Sequence, residues 1–138
     1  QNGVLVKQDK VPFIMAYYQN GNIKSMLLQN ISKKNHGTCY FFYEDGKLKE
    51  KSNFKNGVLD GKQFIYYPSG NIQFEINYRN GIYEGKYVEY YDKKGYAKID
   101  KNYLSGKLHG PYFEKNIYGH MTRYWQYENG VLVKKIKN

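Results

Sequence analysis

The chain has 138 residues, with 22 Lys and Arg against 12 Asp and Glu, and 17 of its residues are tyrosine. That density of rings excludes a disordered tail. No apolar run approaches the ~18 residues of a membrane-spanning helix, and a lone cysteine, Cys39, excludes an internal disulfide framework. The net charge of +10 favours acidic partners: a protein, a nucleic acid or an anionic lipid.

In chain order, residues 1–18 read as a weak first unit. Gln1-Asn2-Gly3-Val4-Leu5-Val6-Lys7 echoes Glu128-Asn129-Gly130-Val131-Leu132-Val133-Lys134, but its spacing to Gly21 is out of register. Pro12 stands where the pattern wants a glycine. From Tyr17-Tyr18-Gln19-Asn20-Gly21 onward two glycine series set the period. Gly37, Gly61, Gly85 and Gly110 are spaced by 24, 24 and 25 residues. Gly21, Gly46, Gly70, Gly95 and Gly119 are spaced by 25, 24, 25 and 24. Asn-Gly or its substitute adds Gly57, Gly81, Gly106 and Gly130, with Lys33 replacing a glycine in the first such turn. One period of 24–25 residues gives about five repeats within a single domain, 1–138, whose ends at 1–11 and 135–138 are atypical. Lys115-Asn116 replaces the Tyr-Tyr pair in the last unit.

Each repeat reads as a β-hairpin. In Tyr67-Pro68-Ser69-Gly70-Asn71, Pro68 presets the first turn angle and Gly70 supplies positive φ, as a three-residue loop requires. Gln19-Asn20-Gly21 and Glu44-Asp45-Gly46 fit the same turn, and Asp92-Lys93-Lys94-Gly95 is one residue longer. No segment has helical periodicity with caps. The expected fold is all-β: an elongated, single-sheet antiparallel meander of stacked hairpins, about ten strands. Pairing Tyr67 with Asn71 sets Tyr66 opposite Ile72 and Phe64 opposite Phe74. Alternation then predicts one apolar face (Phe64, Tyr66, Ile72, Phe74, Ile76, Tyr78) and one mixed face (Ile65, Tyr67, Gln73, Glu75, Asn77, Arg79).

The runs Asn56-Gly57-Val58-Leu59-Asp60-Gly61-Lys62-Gln63-Phe64-Ile65-Tyr66-Tyr67-Pro68-Ser69-Gly70 and Asn80-Gly81-Ile82-Tyr83-Glu84-Gly85-Lys86-Tyr87-Val88-Glu89-Tyr90-Tyr91 carry a resemblance. They resemble the MORN repeat, in the bacterial variant form of YwqK-type antitoxin proteins, over roughly residues 12–134. The resemblance implies stacked hairpins used for scaffolding, protein binding or phospholipid contact.

On the mixed face Tyr18, Tyr43, Tyr67 and Tyr91 recur once per repeat, ~9–10 Å apart across two strands. Lys47, Lys49, Lys51, Lys98 and Arg79 come from the interleaved strands. Aromatic anchors among cations make a candidate partner-binding surface, for which an acidic protein is the favoured ligand. The alternative reading is that the lysine stems merely cover the rings. His36 and His109 share a repeat position too far apart to share a metal, and Cys39 has no Cys partner, so no metal site is expected. Asp60 and Glu84 also share a turn position, on exposed turns without a pocket to raise a carboxyl pKa. With no nucleophile motif, phosphate loop or dinucleotide fingerprint, the expectation is a non-enzymatic binding protein with no cofactor. Antitoxin or immunity-type function is the version the resemblance implies. The alternative is a bacterial surface or envelope scaffold that binds glycan, anionic lipid or nucleic acid, although choline- and glucan-type repeats rely on recurrent Trp and this chain has one, Trp125. Cytoplasmic and exported locations both remain open, as does the oligomeric state.

Overall fold

The computed structural model describes residues 13–136. The echo at residues 1–7 and Pro12 lie outside them. Eleven antiparallel strands form one sheet in strict sequence order, and the described residues contain no helix. The first hairpin is β1 (Ile14–Tyr17) with β2 (Ile23–Leu27), and β3 (Gly37–Phe42) pairs with β4 (Leu48–Lys55). Next come β5 (Val58–Tyr66) with β6 (Ile72–Arg79), and β7 (Ile82–Tyr90) with β8 (Ala97–Leu104). The last are β9 (Lys107–Lys115) with β10 (Met121–Glu128), and β11 (Val131–Ile136), so Lys135 and Ile136 belong to a strand. Ten strand spacings give a sheet about 48 Å across.

Both long edges are built from the turns the glycine series implies. At one edge Asn56-Gly57, Asn80-Gly81, Ser105-Gly106 and Asn129-Gly130 have positive φ at both residues, for example 48° and 78° at Asn80 and Gly81. That conformation matches the right-handed twist of the flanking strands. The turn glycine also docks on the preceding repeat: Gly81 N–H donates to the Leu59 carbonyl at 2.7 Å, and Gly106 N–H to that of Tyr83 at 2.9 Å. At the other edge, Tyr67 N–H donates to the Asn71 carbonyl and Gly70 N–H to the Tyr67 carbonyl, both at 2.8 Å, closing the three-residue tip. The turn between β2 and β3 departs from the expected Asn-Gly type: Asn30 N–H donates to the Lys34 carbonyl and Lys33 N–H to that of Asn30, both at 2.9 Å, as in the three-residue tips, and Lys33 takes the tip glycine's place at φ 57°, where a Cβ is unfavourable. Replacing Lys33 by Gly is therefore expected to raise stability by about 1 kcal/mol, measured by denaturant unfolding.

The expected register fails two residues beyond each tip, and the reason is a recurrent bulge. Tyr66 does face Ile72, but Ile65 then faces Phe74 and Phe64 faces Glu75. One extra residue, Gln73, sits in the return strand. Lys24, Lys49, Lys98 and Thr122 occupy the same place in the other hairpins. A bulge adds twist and reverses the alternation beyond it. It moves Phe74, Ile76 and Tyr78 onto the face of Ile65 and Tyr67, and puts Glu75 and Asn77 with Phe64 and Tyr66. Lys51, opposite Phe64, likewise leaves the predicted mixed face. Both faces are consequently part apolar and part polar. The face with Tyr67 is called the ladder face below, and its opposite the reverse face.

A single layer has no second sheet to bury against. Few described side chains are shielded: Cys39, Ile76, Ser25, Ser52 and Gln63 on the ladder face, and Val88 on the reverse face. Stability in such an array comes from each repeat covering the next.

Candidate functional site

The ladder tyrosines are the first of these covers. Tyr18 OH donates to the Phe42 carbonyl at 2.7 Å, Tyr43 OH to Tyr66 at 2.7 Å, Tyr67 OH to Tyr90 at 2.8 Å and Tyr91 OH to Lys115 at 2.9 Å. Each acceptor is the carbonyl where the next repeat's long strand ends. The bulge residues lie over the rings: Lys24 Nζ is 5.7 Å from the Tyr18 centroid, Lys49 5.6 Å from Tyr43 and Lys98 6.0 Å from Tyr91. Lys98 also bonds Glu89 at 2.9 Å, and that carboxylate, ahead of burial, decides the direction of its shift, up from the ordinary lysine value. The last repeat has Asn116 in place of the tyrosine, and its side chain instead accepts from the N–H groups of Tyr118 and His120 inside its own tip.

Lys47 sits at a tip, paired with Asp45 at 3.4 Å and bonded to the Pro68 carbonyl. Arg79 is at the opposite end of β6 from Tyr67, roughly 25 Å of strand away, and faces Glu84 at 3.9 Å. The structure thus brings Tyr18, Tyr43, Tyr67, Tyr91, Lys49 and Lys98 onto one strip and leaves Arg79 at the other edge and, past the Gln73 bulge, on the reverse face rather than the expected one.

The residue before each long-strand glycine makes a second cover. Asp60 accepts from the Asn80 N–H at 3.0 Å and Glu84 from Ser105 at 2.6 Å. His36 Nδ1 accepts from Asn56 N–H and His109 Nδ1 from Asn129, both at 3.3 Å. Three kinds of side chain do one job: each offers an acceptor to the turn of the following repeat. Among the described residues no group of three or more His, Cys, Asp or Glu could hold one metal ion.

Between the two edges, cross-strand neighbours on the ladder face form a row: Cys39, Ser52, Gln63, Ile76, Tyr87, Lys101, Tyr112, Trp125 and Lys135. Its chemistry changes half-way. In the first half Gln63 Nε2 donates to Glu50 at 2.9 Å and to Ser52 Oγ at 3.0 Å, Ser52 donates to Glu50 at 2.5 Å, and Tyr78 OH donates to Gln63 Oε1 at 3.3 Å. Burial, ahead of the neighbouring Tyr83, pushes the Tyr78 phenol far above the ordinary tyrosine value, so it stays a neutral donor.

The second half is a belt of rings. Tyr83 lies 5.1 Å from Tyr78, 5.6 Å from Tyr87 and 4.9 Å from Tyr103, centroid to centroid. Tyr112 stacks on Trp125 at 5.7 Å and 23°. Cations fill the gaps: Lys101 Nζ is 4.4 Å from the Tyr87 centroid and 5.5 Å from Tyr103, while Arg123 and Lys135 approach Trp125 at 5.1 and 5.6 Å. Glu114 receives both Arg123 Nη1, at 2.7 Å, and the Tyr112 hydroxyl, at 2.5 Å. Burial alone would raise the Glu114 pKa, but these two donors outweigh it and hold the carboxyl below its usual range. Beside the last rung a hollow of about 310 Å³ is lined by Tyr91, Lys98, Glu114 and Thr122.

Sequence reasoning missed this belt because it assigned Tyr78 to the other face, five residues past an unseen bulge at Gln73. A usable signal was present. At the second residue after the long-strand glycine the repeats read Cys39, Gln63, Tyr87 and Tyr112. At the sixth after the tip glycine they read Ser52, Ile76, Lys101 and Trp125. These positions vary while the scaffold positions hold.

No curated protein matches the chain. Residues 35–56 and 59–80, the hairpins β3–β4 and β5–β6 with their turns, match the family model described as the MORN repeat variant, and the following two hairpins continue the same spacing.

Proposed function

We propose that the protein is a non-enzymatic protein-binding repeat module and, in its sharpest form, an antitoxin or immunity-type protein of a bacterium. The observation that carries the reading is the continuous belt of rings and cations on one face of a sheet whose repeats are tied to one another by hydrogen bonds. A surface held in place this way binds with little ordering entropy. Tyr, Trp and Arg are the residues that dominate protein interfaces. MORN repeats often act as protein- or membrane-binding modules, and the antitoxin role comes from likeness of repeat type alone.

The test is co-purification of the full chain with the product of its neighbouring gene. A stable complex with a toxin supports the sharp form. A chain that stays partnerless in its own lysate defeats it. The second reading, an envelope scaffold for glycan, anionic lipid or nucleic acid, draws on the +10 charge. Steeply salt-dependent retention of oligonucleotide in a filter-binding assay would favour nucleic acid within it.

A further inference from the structure

Resting on the reading as a protein-binding module, we infer that the partner docks on the C-terminal half of the ladder face, over Tyr83, Tyr87, Lys101, Tyr112 and Trp125, and that its docking segment is an acidic polypeptide. The inference starts from the separation of scaffold and variable positions. The ladder phenols bond carbonyls of the following repeat, and the side chains before the long-strand glycines, whatever their type, bond its turn N–H groups. The rings opposite the long-strand glycines recur as well, as Gly61 with Tyr78 and Gly85 with Tyr103. Tyr87 and Tyr112 share a place that holds tyrosine only in these two repeats, and Lys101 and Trp125 share one that differs in every repeat. The same places in the two preceding repeats hold Cys39, Gln63, Ser52 and Ile76, so the sheet is built without rings or charge there.

Charge selects the partner. Among the described residues Lys101 and Lys135 have no carboxylate in ion-pair contact, whereas Lys98 and Arg123 on the same face are paired with Glu89 and Glu114. Around Lys101, burial ahead of the neighbouring Tyr83 and Glu89 pushes the Tyr87 phenol up, so it remains an O–H donor at neutral pH. Two unpaired ammonium groups beside phenol donors suit carboxylates. Ring geometry argues against stacking ligands. The Tyr112 and Trp125 faces cover each other, and the cations lie over those of Tyr87 and Trp125, which leaves edges outward. Nucleobases and sugars need an open ring face.

The chain has a single tryptophan and it lies in the belt, so intrinsic fluorescence reports on the site directly. Full-length protein is titrated with a synthetic poly-glutamate peptide and, separately, with oligo-dT of matched charge. The expected result is a saturable change in Trp125 emission with the peptide. Affinity should fall about tenfold or more in Lys101→Glu/Lys135→Glu and fall less in Lys101→Gln/Lys135→Gln. Lys51→Glu, on the reverse face, should stay within about twofold. Circular dichroism confirms that each variant is folded. Oligo-dT binding as tightly as the peptide, an equal loss in the reverse-face variant, or no response to the peptide overturns the inference. A neighbouring-gene product that co-purifies equally with wild type and Lys101→Glu/Lys135→Glu leaves the protein-binding reading intact and removes this site. Peptide binding without any protein partner does the reverse.

Discussion

Replacing Tyr43, Tyr67 and Tyr91 together by phenylalanine is expected to lower stability by about 3 kcal/mol and the melting temperature by about 10 °C. The substitution keeps every ring and removes only three hydroxyls, each of which donates to a carbonyl of the following repeat. A bond of this kind contributes about 1 kcal/mol, and these three cross three different repeat boundaries, so their losses should add. The measurement is thermal unfolding followed by circular dichroism. A variant that melts with the wild type would show that the hydroxyls are not clips and would return the ladder to the list of recognition groups.

Gln63→Leu is expected to cost about 2–3 kcal/mol in denaturant unfolding, more than any other single substitution in the row. Gln63 is 7 % exposed and joins three partners at once: Glu50, Ser52 and Tyr78. Leucine would fill the space but leave Ser52 as the carboxylate's one remaining side-chain donor and deprive the Tyr78 hydroxyl of its acceptor. Removing the carboxylate as well, in Glu50→Leu/Gln63→Leu, should recover about 1 kcal/mol, because an absent acceptor costs less than an unsatisfied one. A double variant less stable than Gln63→Leu would mean that Glu50 contributes through contacts other than this network.

The architecture was legible because turns carry strong local chemistry. Asn80-Gly81 and Pro68-Ser69-Gly70 each admit few backbone conformations, and their fixed spacing leaves no room for anything except short strands between them. Lys33 could be read as a glycine substitute for the same reason, and it does take positive φ. The faces were less legible. A bulge at Gln73 or Lys98 has no glycine or proline to mark it, and one extra residue reverses every side chain beyond it. The tyrosine ladder was found at the right positions and on one strip, while its hydroxyl bonds to the next repeat depend on a neighbour that no local pattern specifies. Asp60, Glu84, His36 and His109, for which sequence reasoning predicted no catalytic or metal role, are turn acceptors. Their shared position before a glycine was visible, but the N–H each receives comes from a residue about twenty positions later.

The central claim is that the ladder tyrosines hold the sheet together and that the rings and cations found only in the C-terminal repeats recognise the partner. The affinity of Tyr43→Phe/Tyr67→Phe/Tyr91→Phe for the poly-glutamate peptide, read by Trp125 emission well below its melting transition, tests this most directly. The account predicts an affinity within about twofold of wild type in a variant that melts about 10 °C lower. An affinity about tenfold weaker in a variant that melts with the wild type would contradict it.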